Sequence, residues 1–200
     1  VNIYIKYDDN FGVSTTNKYI KGRIQDNKLY IYEVDHSVID KYDGDLYIFI
    51  PFGYIFDEVD IDNNAGRVEI DGLKTGELSL ELGAGKVNMS NIEVYEKMDI
   101  NGGAGSIKID NANINNLDMD MGAGKTQISG YLKGNNKIDA GVGTLILELF
   151  DDDYKISVDK GIGKATYNGQ DINSDEVYGN GYNNVIIDGG IGSIKISTKR

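Results

Sequence analysis

The 200-residue chain has no cysteine and no tryptophan, one proline (Pro51) and one histidine (His36). The missing cysteines exclude a disulfide framework and any thiolate metal centre. His36 is the only imidazole, and no nucleophile in the chain has an evident base, so no catalytic residue is assigned. The scarcity of proline leaves strands uninterrupted. No window of ten or more residues carries a convincing 3.6-residue apolar period, so helix content should be small. No apolar run reaches the roughly 18 residues that span a bilayer, and direct membrane insertion by this segment is not expected. Basic residues are in deficit: 20 Lys and Arg against 32 Asp and Glu give a net charge of −12. That balance argues against nucleic acid as a partner, because phosphate binding needs a basic footprint.

Glycine, by contrast, is abundant at 26 residues, and it is periodic. A Gly-x-Gly step occurs at Asn64-Ala65-Gly66 (Asn replaces the first Gly), Gly83-Ala84-Gly85, Gly103-Ala104-Gly105, Gly122-Ala123-Gly124, Gly141-Val142-Gly143, Gly161-Ile162-Gly163 and Gly190-Ile191-Gly192. The second glycines are 19, 20, 19, 19, 20 and 29 residues apart. A fixed period near 20 marks a repeat architecture. With each second glycine as origin, position +2 carries Val68, Val87, Ile107, Thr126, Leu145, Ala165 and Ile194. Position +4 carries Ile70, Met89, Ile109, Ile128, Leu147, Tyr167 and Ile196, and the residue between is mostly polar. Position −5 is apolar throughout, from Ile61 to Ile187, and position −4 is acidic in six of seven copies. Apolar–polar alternation on both sides of a glycine corner predicts a strand, a sharp bend and a second strand. The middle residue of the corner is expected to point inward, and the remaining residues of each unit to form a return turn. Stacked units make an all-β fold: a single-stranded parallel β-solenoid, or β-helix, with about 20 residues per coil.

Residues 1–57 lack the corner but keep the alternation at Asn2–Tyr7, Lys28–Tyr32 and Asp45–Ile50. They are read as an N-terminal β cap with irregular first rungs, continuous with a solenoid over 58–200. The 29-residue interval places a long loop around Gln170–Asn184, where Asp175, Glu176, Tyr178 and Tyr182 are candidate binding residues. The last strand, Ser193–Lys199, is expected to leave an edge guarded by Lys195, Lys199 and Arg200, which favours a monomer or weak dimer.

Two motifs mislead. Gly122-Ala123-Gly124-Lys125-Thr126 looks like the tail of a phosphate-binding loop, but Met119 stands where that loop needs glycine. Gly102-Gly103-Ala104-Gly105 resembles a calcium-binding nonapeptide, yet Ile107 holds the required Asp position. No cofactor or metal is therefore assigned. The acidic column is more informative, because stacking brings its carboxylates within about 5 Å of one another. Like charges so placed repel, and nearby lysines such as Lys86, Lys125 and Lys164 offset this. A cation ladder on Asp120, Asp139 and Asp159 is the sharper alternative. Paired carboxylates cleaving a polysaccharide is another, although the supporting His, Arg or Lys clusters are missing. Exposed tyrosines such as Tyr54, Tyr95 and Tyr131 fill the cap and corners or stack on sugars.

With these columns in place, the chain resembles the DUF4097 family of bacterial β-strand-repeat proteins of adhesin type. The resemblance rests on Leu46-Tyr47-Ile48-Phe49-Ile50-Pro51-Phe52-Gly53 ahead of the array and on the corners that follow, ending in Gly190-Ile191-Gly192-Ser193-Ile194-Lys195-Ile196. It covers about residues 45–200. It implies a surface or envelope location behind an N-terminal leader or anchor, and a role in adhesion or envelope sensing. The expectation is a non-enzymatic binding or scaffold module that meets a protein or glycan at a cell surface. A carbohydrate-active enzyme and a self-assembling structural protein are the alternatives.

Overall fold

Alternating apolar residues have one place to go in this chain, a single core that runs its whole length. A computed structural model describes residues 1–33, 44–174 and 176–199; His36, Asp175 and Arg200 lie outside the described residues. Those described are all-β. The strands, in order, are β1 (Asn2–Asp8), β2 (Gly12–Thr15), β3 (Ile20–Gln25), β4 (Lys28–Glu33), β5 (Asp45–Pro51), β6 (Ile55–Asn115), β7 (Leu117–Lys133), β8 (Asn135–Asp139), β9 (Val142–Leu149), β10 (Tyr154–Asp159), β11 (Ile162–Tyr167), β12 (Gln170–Asp171), β13 (Val177–Tyr178), β14 (Asn183–Asp188) and β15 (Ile191–Thr198). β6 is an unbroken ribbon that passes through several corners without losing its ladder. Among the described residues no helix is long and apolar enough to cross a membrane.

The ladders are parallel and in register. Met98 lies beside Leu117, Ala104 beside Ala123 and Ile109 beside Ile128, and Gly124 lies beside Gly143. Positions −5 and +2 therefore form buried files, as do the +4 residues from Ile70 to Leu147. The stretch read as a return turn is itself a paired segment. Ala112–Asn115 lies along Gly130–Lys133 with Ala112, Ile114 and Leu132 buried, so these coils have three strand segments. The register shifts between Ile109 and Ala112, and Asn111 there adopts a left-handed conformation at φ 53°. Asparagine tolerates that region better than most residues, and at this corner the offset between the paired rungs falls by one residue, Ile109 lying beside Ile128 but Ala112 beside Gly130.

Gly124 shows why glycine holds the other corner. Its φ is +142°, and a Cβ would lie 1.8 Å from the Gly105 carbonyl oxygen of the neighbouring rung. No side chain fits there. The expected inward turn of the middle residue is not found. Ala65, Ala84, Ala104 and Ala123 are exposed, and so are Val142, Ile162 and Ile191. The two flanking glycines bring the backbone of successive rungs together, which turns the residue between them out.

Order in space departs from order in sequence at both ends. β1 pairs parallel with both β5 and β6, so the first strand lies between them. β15 likewise pairs parallel with both β9 and β11, and β14 with both β8 and β10. The last coil thus sits between the two that precede it, and Ser193–Lys199 is not an edge. Lys199 instead bonds Glu148 at 3.2 Å and its amine lies 5.6 Å from the Phe150 ring centre. Asparagines fix this insertion. Asn184 Nδ2 donates to Asn135 Oδ1 (2.9 Å), and Asn183 joins Gly134 N on one side to Asp153 O on the other, both at 3.0 Å.

The true ends finish in short antiparallel strands. β2 runs against β5, β3 against β4, β12 against β11 and β13 against β10. The Asn168-Gly169 turn, with φ of 49° and 80°, reverses the chain between β11 and β12. Two positive φ values in a two-residue loop suit the right-handed twist of a hairpin.

Replacing Gly124 by alanine should cost about 3 kcal/mol or more, because both conformation and space are refused. Gly169→Ala, at φ +80° with nothing within 4 Å, should cost only about 1 kcal/mol. Urea unfolding of the two variants checks the difference. Tyr154 gives a second test. It is buried, its hydroxyl accepts from Leu132 N–H at 3.3 Å, and burial raises its phenol to about 12. The unfolded chain ionises that tyrosine near pH 10, whereas the folded chain keeps its proton until near pH 12. Its contribution is therefore intact below pH 10 and is lost as pH rises toward 12, by up to roughly 2 kcal/mol. Tyr154→Phe should flatten the stability–pH curve relative to the parent over that window.

Candidate functional site

The positions that alternation turns outward after the corner, +1, +3 and +5, build a shallow open groove across four adjacent rungs. β1 supplies Lys6, and three turns of β6 supply Glu69, Asp71, Lys86, Asn88, Ser90, Lys108 and Asp110. β1 contributes because Tyr4 lies beside Glu69 and Lys6 beside Asp71. Above the groove the Tyr4 and Tyr47 rings stack at 4.7 Å with planes 11° apart, and the Lys6 amine sits 5.6 Å and 6.0 Å from their centres. Burial, and then the Asp45 carboxylate, push the Tyr47 phenol above its ordinary range.

The acids of the groove are held by neighbours. Arg67 pairs with Glu69 at 3.1 Å, and Asp71 accepts from Ser90 Oγ at 2.7 Å and Asn91 Nδ2 at 3.0 Å. Lys108 pairs with Asp110. Lys86 is exposed and makes no ion pair among the described residues. The result is a wall of hydrogen-bonded carboxylates and amides with an exposed, unpaired cation in it and an aromatic shelf at one end. Such a surface can hydrogen-bond a hydroxylated ligand at several points without reorganising.

The sequence-predicted residues lie elsewhere. Among the described part of the loop, Glu176 and Tyr178 use their polar atoms on each other. Tyr178 OH donates to Glu176 Oε2 at 2.6 Å and accepts from Asn173 N at 2.9 Å, while Asn173 Nδ2 donates to Glu176 Oε1 at 3.3 Å. The Tyr178 hydroxyl, then Asn173, hold the Glu176 carboxyl below its ordinary value, and the same bond raises Tyr178. Ile172 is buried, so the loop lies down on the end of the array. Tyr182, 92% exposed, projects freely. The two halves of the prediction therefore differ: one pair braces the loop and one ring faces solvent.

The acidic file runs Asn101, Asp120, Asp139, Asp188, Asp159. Asp139 and Asp159 are not adjacent, as chain order implies, because the inserted coil puts Asp188 between them. Asp139 Oδ1 accepts from Gly141 N at 3.2 Å, and Asp159 Oδ1 from Gly161 N at 3.3 Å. Their carboxylates brace the turn into the corner, which is a structural use. Among the described residues, no cluster of three or more His, Cys, Asp or Glu could hold a metal. Of the tyrosines, Tyr54 packs edge-on against Phe11 and Phe56, and Tyr131 against Phe150. Sequence reasoning missed Tyr4, Lys6, Lys86 and Asn88 as one site. The available signal was that Asn2–Lys6 has the same alternation as Arg67–Asp71, with which it pairs.

The profile of the Toastrack DUF4097 family matches residues 11–177. No curated protein matches the chain. Among solved structures it is similar to a candidate cell adhesion protein from Clostridium sporogenes, at 19% identity and a TM-score of 0.43, covering 99% of this chain and 88% of that one.

Tyr178→Phe should raise the Glu176 carboxyl toward its ordinary value and loosen the loop, while leaving the coils intact. An NMR pH titration of the Glu176 side chain, with amide exchange at Asn173, checks both effects.

Proposed function

Because the chain belongs to the Toastrack DUF4097 family, a family of β-solenoid-like fold, we propose that it is a non-enzymatic binding and scaffold module displayed at a bacterial surface or envelope. In this reading the array is one parallel solenoid of about 20 residues per coil, closed at its N-terminal end by residues 1–57. It presents its post-corner face to an extended glycan. One observation carries the proposal: the groove through Lys6, Asn88 and Asp110 joins four rungs of fixed polar side chains to the Tyr4–Tyr47 shelf. Hydroxyl groups spaced along a sugar chain match side chains that recur every rung, about 4.8 Å apart. Aromatic faces beside them suit the apolar side of a sugar ring. The stacked carboxylates, bonded to corner backbone, support a structural role better than acid–base chemistry.

A glycan array of the folded chain, followed by titration of the best ligand, tests the reading. Lys86→Ala and Asn88→Ala should each weaken binding about five- to tenfold, the loss of one hydrogen bond. Tyr182→Ala, on the terminal loop, should leave it unchanged. Binding abolished by Tyr182→Ala and untouched by the groove variants would move the site to the loop. Release of reducing ends from the bound glycan would replace the module by an enzyme.

A further inference from the structure

The corner residues form a ridge along the array, and its composition changes with position. Ala104 lies beside Ala123, Ala123 beside Val142, Val142 beside Ile191 and Ile191 beside Ile162. The last three are 51%, 54% and 74% exposed. Three large aliphatic side chains stacked in contact with water form an apolar strip, not scattered surface residues. Their backbones are hydrogen-bonded from rung to rung: Ile191 N and Ile162 N donate to Gly141 O and Gly190 O at 2.8 Å. The ridge therefore offers side chains along its length.

Its flanks are charged with opposite sign. Position −4 lies on one side of the corner and +1 on the other. Every rung with a cation at +1 has an acid at −4: Arg67 with Asp62, Lys86 with Glu81, Lys125 with Asp120 and Lys164 with Asp159. Lys86 and Lys125 have no ion-pair partner among the described residues, while Arg67 and Lys164 pair within the chain with Glu69 and Asp171. A two-fold axis parallel to the ridge carries the acidic flank of one copy onto the basic flank of the other, rung for rung. A two-fold axis across the ridge sets acid against acid.

The geometry points to a second copy of this chain as the occupant: a parallel, ridge-to-ridge dimer with Ile162, Ile191 and Val142 each meeting its own counterpart. Lys86 and Lys125 face Glu81 and Asp120 of the opposing copy. Seven rungs at about 4.8 Å give a contact about 30 Å long and one ridge wide. That is smaller than a standard interface, so the dimer forms in the micromolar to millimolar range. This does not depend on the glycan reading, since the groove and the ridge use different side chains apart from Lys86.

The chain has no cysteine, so single cysteines report without background. Ala84→Cys and Ile191→Cys, oxidised separately at 0.5 mM protein with folding checked by circular dichroism, should each give a disulfide-linked dimer, because the axis brings equivalent ridge atoms together. Sedimentation equilibrium should show Lys125→Asp weakening the dimer about tenfold and Asp120→Lys with Lys125→Asp restoring it. Cross-linking only at the central Ala123→Cys would establish an antiparallel contact and overturn the proposal. A parent chain monomeric up to millimolar concentration would overturn it as well.

Discussion

At the corner glycines the backbones of successive rungs lie too close for any side chain to stand between them. Where a Cβ would stand on Gly124 or Gly143, the carbonyl oxygen of the adjacent rung lies 1.8 Å away. That proximity fixes the height of one rung over the next and forbids a slip of even one residue, since any neighbour of the glycine carries a side chain that cannot enter. Register is otherwise weakly specified in repeats of similar sequence. Here it is enforced once per coil by sterics, and the parallel hydrogen-bond ladder follows. The apolar files then fill the interior because equivalent positions are forced into line.

Two properties result from that constraint. Side chains of one column become neighbours, so a polar column is a surface with a repeat distance and an apolar column is a strip. The groove across Lys6, Asn88 and Asp110 and the ridge ending in Ile162 are both consequences of the same stacking. An array of parallel rungs also exposes ladder edges at its ends, which invites growth. The chain meets this with antiparallel strands β2, β3, β12 and β13 at the ends and with β1 and β15 each one rung inside. Residues 168–174 and 176–182 belong to that closure, as the burial of Ile172 and the Asn168-Gly169 reversal indicate.

The all-β repeat was legible because its signals are local: glycine spacing, period-two alternation and the absence of helical periodicity. What misled was information held between units. Gly143 and Gly163 are separated by the same 20 residues as other neighbours, yet Gly192 stands between them. Spacing reports distance along the chain and says nothing about insertion of a later coil. The Asn168-Gly169 pair did carry a hairpin signal, outweighed by the strength of the repeat. The outward turn of Ile162 was hidden for a different reason. Alternation predicts side-chain direction only through extended backbone, and two glycines around one residue break the count. The groove was half visible: its outward columns are plain in the alignment, but the contribution of Tyr4 and Lys6 depends on where the first strand docks. Asp139 and Asp159 stood out in sequence as a charged column and proved to be turn-bracing acceptors, a role that the column cannot reveal.

The order of rungs is the claim on which the groove, the ridge and the closed ends all rest. Thr144 and Ser193 face each other across adjacent rungs with their hydroxyl oxygens 3.3 Å apart, whereas Lys164 lies one rung further on. In the chain with Thr144→Cys and Ser193→Cys, mild oxidation should close an intramolecular disulfide in the folded monomer, since neighbouring rungs lie within its reach. Efficient closure between Thr144→Cys and Lys164→Cys instead, with none between positions 144 and 193, would restore chain order to the stack and contradict the account.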